Sequence, residues 1–416
     1  MDTKKQDRRR FLKEGAALAG MAVGAITSAS AQTPGAEASP VPYRDRRAYG
    51  RRSRFVNSVR TNDDDATHAA FGRSFNVYTP LQDSIGIITP SSLHWVSAHG
   101  YEPPDIDPQE HRLMIHGMVD RPLIFTLEEL KRLPFVSRIY YLECQANRPE
   151  NKGETVQQSH GKTACSEWTG VLLSLLLQEA GVQSGAGWIV SEGDEAGKMT
   201  KSIPMAKAME DVLVAYGQNG EPVRPENGYP LRLVVPGFEA IYSMKWLRRI
   251  KVVDRPYLGY KEISRYTRDD SRSSWFQFEM GPKSVITFPS GGQRLPSRGY
   301  YQITGLAWSG GGAIRRVEVS TDGGQSWKDA EMQGPVLRLA HTRFNMAWKW
   351  NGEQTVLLSR CTDELGQVQP SLAEFARFWG ATSEQFLSRS ARGAGHSNSI
   401  QPWGVNRDGS VYNAIS

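Results

Sequence analysis

Cys144 stands at the end of an alternating apolar run, Ser137 to Glu143, where a strand gives way to the loop Gln145-Ala146-Asn147-Arg148. Loops that leave a sheet are usual places for chemistry. A thiol there is either an inert small hydrophobe or, once ionised, a nucleophile or soft metal ligand, and Arg148 nearby would favour the thiolate. Cys165 and Cys361 bring the total to an odd three, so at least one cysteine is unpaired even where thiols oxidise. Other chemistries lack their signatures. The chain holds no C-x-x-C, C-x-x-C-H, G-x-S-x-G or H-E-x-x-H, and Gly197-Lys198 runs into Met199 with Glu192 where a Walker loop needs glycine. That removes zinc ribbons, covalent c-type haem, hydrolase elbows and phosphate loops. His94, His111 and His116 stand singly and take no role.

The elements that must hold Cys144 read as two domains. Between Phe75 and about Pro256, apolar strands alternate with short helices: His111 to Gly117 alternates as a strand, and Thr126-Leu127-Glu128-Glu129 is a capping box. A helix over Val171 to Glu179 ends at Gly181, and Gly187 to Ser191 and Leu231 to Pro236 read as buried strands. This predicts an α+β fold with a mixed β-sheet. From about Ser284 the texture turns all-β, with Arg316 to Ser320 turning at Thr321-Asp322-Gly323-Gly324, and Phe344, Met346, Trp348 and Trp350 alternating along another strand. Several short strands with turn signals predict an immunoglobulin-like β-sandwich. Arg392 to Ser416 reads as a polar tail.

Composition agrees with both domains. The 416 residues are 39% hydrophobic and 23% charged, with 40 glycines, 23 prolines and 11 tryptophans, which excludes disorder, collagen and coiled coil. Half of the formal charge of +6 sits in Met1 to Ala31, leaving too little for a nucleic-acid partner. That segment carries Arg8-Arg9-Arg10-Phe11-Leu12-Lys13, a small-residue apolar run from Gly15 to Ser28, and Ala29-Ser30-Ala31. This is the layout of a cleavable twin-arginine export signal, too short for the ~30 Å hydrocarbon core of a bilayer. The expectation is a periplasmic protein with no membrane anchor after cleavage. The basic stretch from Arg44 to Arg54 reads as a solvated face.

Leu142-Glu143-Cys144-Gln145-Ala146-Asn147-Arg148 resembles the cysteine block of the sulfite oxidase family of molybdopterin enzymes. Ser166-Glu167-Trp168-Thr169-Gly170-Val171-Leu172-Leu173, Ala215-Tyr216-Gly217-Gln218-Asn219-Gly220-Glu221, Asn227-Gly228-Tyr229-Pro230-Leu231-Arg232 and Met244-Lys245-Trp246-Leu247-Arg248-Arg249 are similar to its later blocks, in the same order. Within the family, Asp105 to Pro108, His111 to Gly117 and Gly305 to Gly310 look most like the SoxC branch, the molybdenum subunits of bacterial sulfane dehydrogenases.

The resemblance implies a molybdenum-molybdopterin cofactor, with Cys144 as its thiolate metal ligand and His99, Asp194, Asn227, Arg232 and Lys245 around the pterin. It implies catalytic roles for Tyr216 on the metal-bound oxygen and for Arg148 and Arg392 on a substrate oxyanion, a job suited to guanidinium forks. The implied order is a signal at 1–31, an arm at 32–74, the molybdopterin domain at 75–275, a dimerising sandwich at 276–385 and, at 386–416, a tail contributing to the active site. With no haem expected in this chain, the electron acceptor implied is a SoxD-like c-type cytochrome subunit, and the substrate a sulfane on a sulfur-carrier protein. Pro149 replaces the second arginine of the sulfite oxidase block and the loop from there to Cys165 contains no tryptophan, which argues against tight binding of free sulfite. Free-sulfite oxidation, a methionine sulfoxide reductase of the same fold and a cofactor-free binding subunit are the rival readings.

Overall fold

The computed structural model describes residues 53–62, 76–97, 102–149, 153–259, 262, 267–269, 274–276, 278–388 and 396–415. The export signal, most of the arm, His99 and Arg392 lie outside the described residues. Residues 58–416 make one contact unit and 1–57 another, of which 53–57 are described.

Strands β1 (Thr61–Asn62), β2 (Asn76–Tyr78) and β3 (Val96–Ser97) form a small antiparallel sheet, so Thr61 and Asn62 of the arm are paired. After β4 (Leu113–Gly117) and β5 (Leu123–Phe125) the chain enters helix Leu127–Arg132. Its capping box is complete: the Glu129 N–H donates to the Thr126 hydroxyl at 3.1 Å and the Thr126 N–H to the Glu129 carboxylate at 2.8 Å. Two of the orphan donors of a helix start are thereby satisfied. The antiparallel pair β6 (Val136–Glu143) and β7 (Thr163–Leu172) follows, with helix Val156–His160 in its connection. Helix Leu173–Ala180 starts two residues later than its apolar pattern suggested, because Val171 and Leu172 stay paired with β10 (Leu213–Gln218). It ends at Gly181, whose φ of 71° is the left-handed value expected there.

The remaining strands of this half are β8 (Trp188–Gly193), β9 (Thr200–Pro204), β11 (Glu221–Pro222), β12 (Arg232–Val234) and β13 (Leu247–Val253). One five-stranded sheet runs β5-β4-β13-β8-β9 and is mixed, since β4 and β13 pair in parallel. The other runs β11-β10-β7-β6, with β12 also on β10. Leu113, Ile115, Val171, Val214, Leu233 and Ile250 join helix Leu173–Ala180 in the core between the sheets. The opposite face of β6, β7 and β10 packs Leu142, Ala164, Trp168, Leu213 and Ala215 against Trp95, and Cys144 lies at its margin.

After the hairpin β14 (Thr267–Asp269) and β15 (Ser274–Phe276) comes the sandwich. Strands β16 (Lys283–Phe288), β17 (Gly299–Trp308), β20 (Glu331–Gln333) and β21 (Thr342–Trp350) make one sheet in the order β16-β17-β21-β20. The second runs β19-β18-β22-β23-β24, from β18 (Ile314–Ser320), β19 (Lys328–Asp329), β22 (Thr355–Asp363), β23 (Trp403–Val405) and β24 (Val411–Asn413). Residues 403–413 therefore complete the sandwich instead of trailing as a tail. Trp403, fully buried, donates its indole N–H to the Ile286 carbonyl at 3.1 Å. Tyr141 and Cys165, on the far ends of β6 and β7, enter the sandwich core beside Trp308, so the strand that ends at Cys144 is shared by both halves.

Candidate functional site

Cys144 follows the last paired residue of β6. Its N–H donates to the Lys162 carbonyl at 2.9 Å and its carbonyl accepts from the Asn147 N–H at 2.9 Å, which closes a tight turn. The half-buried thiol opens into a pocket walled by Trp95, Glu195, Asn227, Arg232 and Lys245. Burial pushes the thiol upward; Lys162 and the Ala146 N–H pull it back, while Glu239 and Glu143 add to the rise. The Arg148 guanidinium helps, after burial and Lys283, to hold His396 well below the ordinary imidazole range.

The opposite wall is cationic. Arg232, on β12, is 4% exposed and donates through Nη1 to the Asn227 carbonyl at 2.9 Å, while its guanidinium lies 5.2 Å from the Trp168 ring centre. Its buried Nε has no hydrogen-bond acceptor among the described residues. Lys245 donates to the Ser97 carbonyl at 3.1 Å and the Glu226 carbonyl at 3.0 Å. Burial, then repulsion by Arg232, pushes its ammonium down to about 7, against Glu226 and Glu195. Gly228 permits this approach: at φ 117°, a Cβ there would stand 3.0 Å from the Lys245 backbone. Asn227 donates to Gln218 at 3.1 Å and is 1% exposed.

Two further groups escaped the sequence reading. Glu195, 3% exposed, takes the Met199 N–H at 2.6 Å on one carboxylate oxygen, and the other has no donor among the described residues. Its only signal was adjacency to Asp194. The Trp95 indole donates to the Leu142 carbonyl at 3.0 Å, tying the pocket roof to β6. Beside it His94 is held down to about 3, first by burial and then by Arg232.

Two expected residues are placed elsewhere. The Asp194 carboxylate is engaged by Lys198 and, at 3.6 Å, by Arg248, and it lines a surface cleft with Asp105, Asp107 and His111. In the turn after β8 its neighbour Glu195 takes the inward position. Tyr216 lines another cleft with Leu127, Lys131 and Tyr229. It follows Ala215 on β10, and successive strand residues face opposite sides; Ala215 packs on the Cys144 side and Tyr216 against the inter-sheet core. The structure thus brings Cys144, Asn227, Arg232 and Lys245 together and leaves Arg148, Asp194 and Tyr216 out of that pocket.

A soft thiol, a buried guanidinium with an N–H lacking an acceptor among the described residues, a half-buried ammonium, and a carboxylate oxygen without a donor among the described residues suit a polyanionic group that also presents hydrogen-bond donors and a thiophilic metal. Residues 99–261 match the family described as "Oxidoreductase molybdopterin binding domain", and residues 274–383 the one described as "Mo-co oxidoreductase dimerisation domain". The crystal structure of the sulfane dehydrogenase SoxCD from Paracoccus pantotrophus is similar with a TM-score of 0.81 and 36% identity, over 92% of this chain and 97% of that one. The mitochondrial sulfite oxidase of Rattus norvegicus is 32% identical over 335 residues, 72% of this chain and 60% of that protein. The NADH nitrate reductase of Solanum lycopersicum is 32% identical over 348 residues, 71% of this chain and 38% of that protein. The chain spans between 34% and 60% of the length of these and other curated relatives.

Proposed function

The chain belongs to the sulfite oxidase family of molybdopterin oxidoreductases, in its SoxC-like branch, and from that premise we propose that it oxidises a sulfane carried on a protein cysteine and passes the electrons to a c-type cytochrome subunit. The observation that carries the reading is the pocket: Cys144 shares it with Lys245 and with Arg232, a buried cation whose Nε lacks an acceptor among the described residues. When bound, the molybdenum-molybdopterin group supplies two-electron oxo-transfer chemistry. Cys144 would ligate the metal. Arg232 and Lys245 would take the pterin's anionic end, Asn227 and Glu195 its polar edge, and Trp95 closes the pocket from water.

We assign the chain to the periplasm on its twin-arginine layout, and a homodimer to residues 274–383 on the family they match. The absence of an arginine at Pro149 and of a tryptophan in the loop to Cys165 favours a protein-borne substrate over free sulfite. Two measurements test the reading. Molybdenum per chain, taken by mass spectrometry alongside Cys144→Ser, should be near stoichiometric in the native protein and lost or inactive in the variant. A metal-free native protein from a cofactor-competent host would leave the binding-subunit reading. Turnover on a persulfidated carrier should exceed turnover on sulfite, and fast sulfite oxidation without carrier would make the chain a sulfite dehydrogenase.

A further inference from the structure

Glu143, the last residue of β6, is fully buried and carries a carboxylate next to the proposed metal ligand. Its partner comes from the sandwich. Lys283, the first residue of β16 and equally buried, places Nζ 2.6 Å from Glu143 Oε1 and 2.6 Å from the Asn147 carbonyl. The Trp308 indole, also from the sandwich, donates to Glu143 Oε2 at 2.7 Å. Asn147 completes the frame by donating to Glu143 Oε1 at 2.8 Å and accepting the Lys162 N–H at 2.9 Å. Every contact lands on residue 143 or 147, the two ends of the turn that carries Cys144.

Burying an ion pair to join two domains is an expensive way of obtaining adhesion, which apolar side chains of the same volume supply as well. What the ions add is direction. A lysine with two oxygens at 2.6 Å fixes Glu143 and the Asn147 carbonyl relative to each other, and the turn between them has no freedom left to re-aim its thiol. Metal ligands depend on such outer contacts for orientation, and losing one typically costs about 10–100-fold in metal affinity or activity.

We propose that Lys283 is a positioning residue for Cys144: the sandwich domain, through Lys283 and Trp308, sets the direction in which the thiolate meets its metal. The inference rests on Cys144 being the metal ligand. It assigns the sandwich a part in the site as well as in assembly.

The test uses the full-length loaded protein. Lys283→Met alone leaves a buried unpaired carboxylate and serves only as a folding control. The paired variant Glu143→Gln/Lys283→Met removes both charges and leaves one amide oxygen as acceptor for Trp308 or Asn147; Trp308→Phe removes one hydrogen bond to the carboxylate and decides the matter should the paired variant not fold. Thermal unfolding, molybdenum retained on dialysis, the visible thiolate-to-metal absorption, kcat and KM are read on each. We expect native-like unfolding of the variant that folds, metal loss about tenfold faster, a shifted absorption and a fall in kcat at constant KM. Native retention and absorption in a folded variant would overturn the positioning role while leaving Cys144 as ligand. Stoichiometric metal in Cys144→Ser, with unchanged absorption, would remove the ligand assignment and the inference with it.

Discussion

Tyr216 and Cys144 lie on opposite faces of the same β-sheet. Ala215 packs on the face that Cys144 borders, and Tyr216, one residue on, packs against the core between the two sheets and opens to a separate cleft. Burial raises its phenol above the ordinary value, with Lys131 opposing, and it does not line the pocket that holds the thiol. Tyr216→Phe is therefore expected to change kcat by less than about twofold, where loss of a catalytic acid–base group costs about 10²–10⁴-fold. A loss of that size with the metal retained would return Tyr216 to the site.

Why the sequence does not show which face this tyrosine takes is a matter of patterning. Alternation locates a face only when one side of a strand is wet, and Leu213 to Ala215 are all buried because β10 packs on both sides. The bulge between Ala215 and Gly217 then shifts the register with no mark in the sequence. By contrast the capping box at Thr126, the glycine stop at Gly181 and the strand into Cys144 are local chemistry, and each was legible. Asp194 and Glu195 differ only in which way a turn points its carboxylates. The strands at Trp403 and Val411 are three residues each, too short to show a period.

The three thiols should separate cleanly by alkylation. Cys165 and Cys361 are 0% and 1% exposed, and burial pushes both thiols up, Cys165 to about 12. Cys144 is half-buried and lines the pocket. Reactive cysteines are those with exposure and thiolate character, so iodoacetamide should label only Cys144 in the native cofactor-free chain, none of the three when the cofactor is bound, and all three in denaturant. Native labelling of Cys165 or Cys361 would contradict the packing of β7 and β22 described above.

Acid should unfold the protein through its histidines. Burial, followed by repulsion from Arg232 and Arg343 respectively, holds His94 and His341 down to about 3, and burial with Lys283 keeps His160 well below the ordinary range. A base whose folded value is lowered binds more protons when unfolded, so this stability is fully present above about pH 6.5 and drains away as the pH falls toward 3. His94 and His341 should each contribute a slope approaching about 1.4 kcal/mol per pH unit. Urea midpoints should accordingly drop between pH 7.5 and 5.5. His341→Gln, which keeps a partner for the Thr163 hydroxyl now 2.9 Å from the ring, should flatten the slope by one proton; an unchanged slope would mean the ring is already charged in the fold.

Arg232 separates the cost of a cation from its use. In the cofactor-free chain its Nε lacks an acceptor among the described residues and burial alone works against its charge, so Arg232→Met, which keeps the unbranched stem over Trp168, should raise the stability of that form by about 1–3 kcal/mol. In the loaded protein the same change removes a partner of the anionic cofactor, and retention on gel filtration should fall at least about tenfold. The two effects have opposite signs, which a residue serving only to pack cannot produce: a structural arginine would destabilise both forms together. Thermal unfolding of the free and loaded protein, with and without the substitution, decides between them, and destabilisation of the cofactor-free form would sink the assignment of Arg232 to the cofactor.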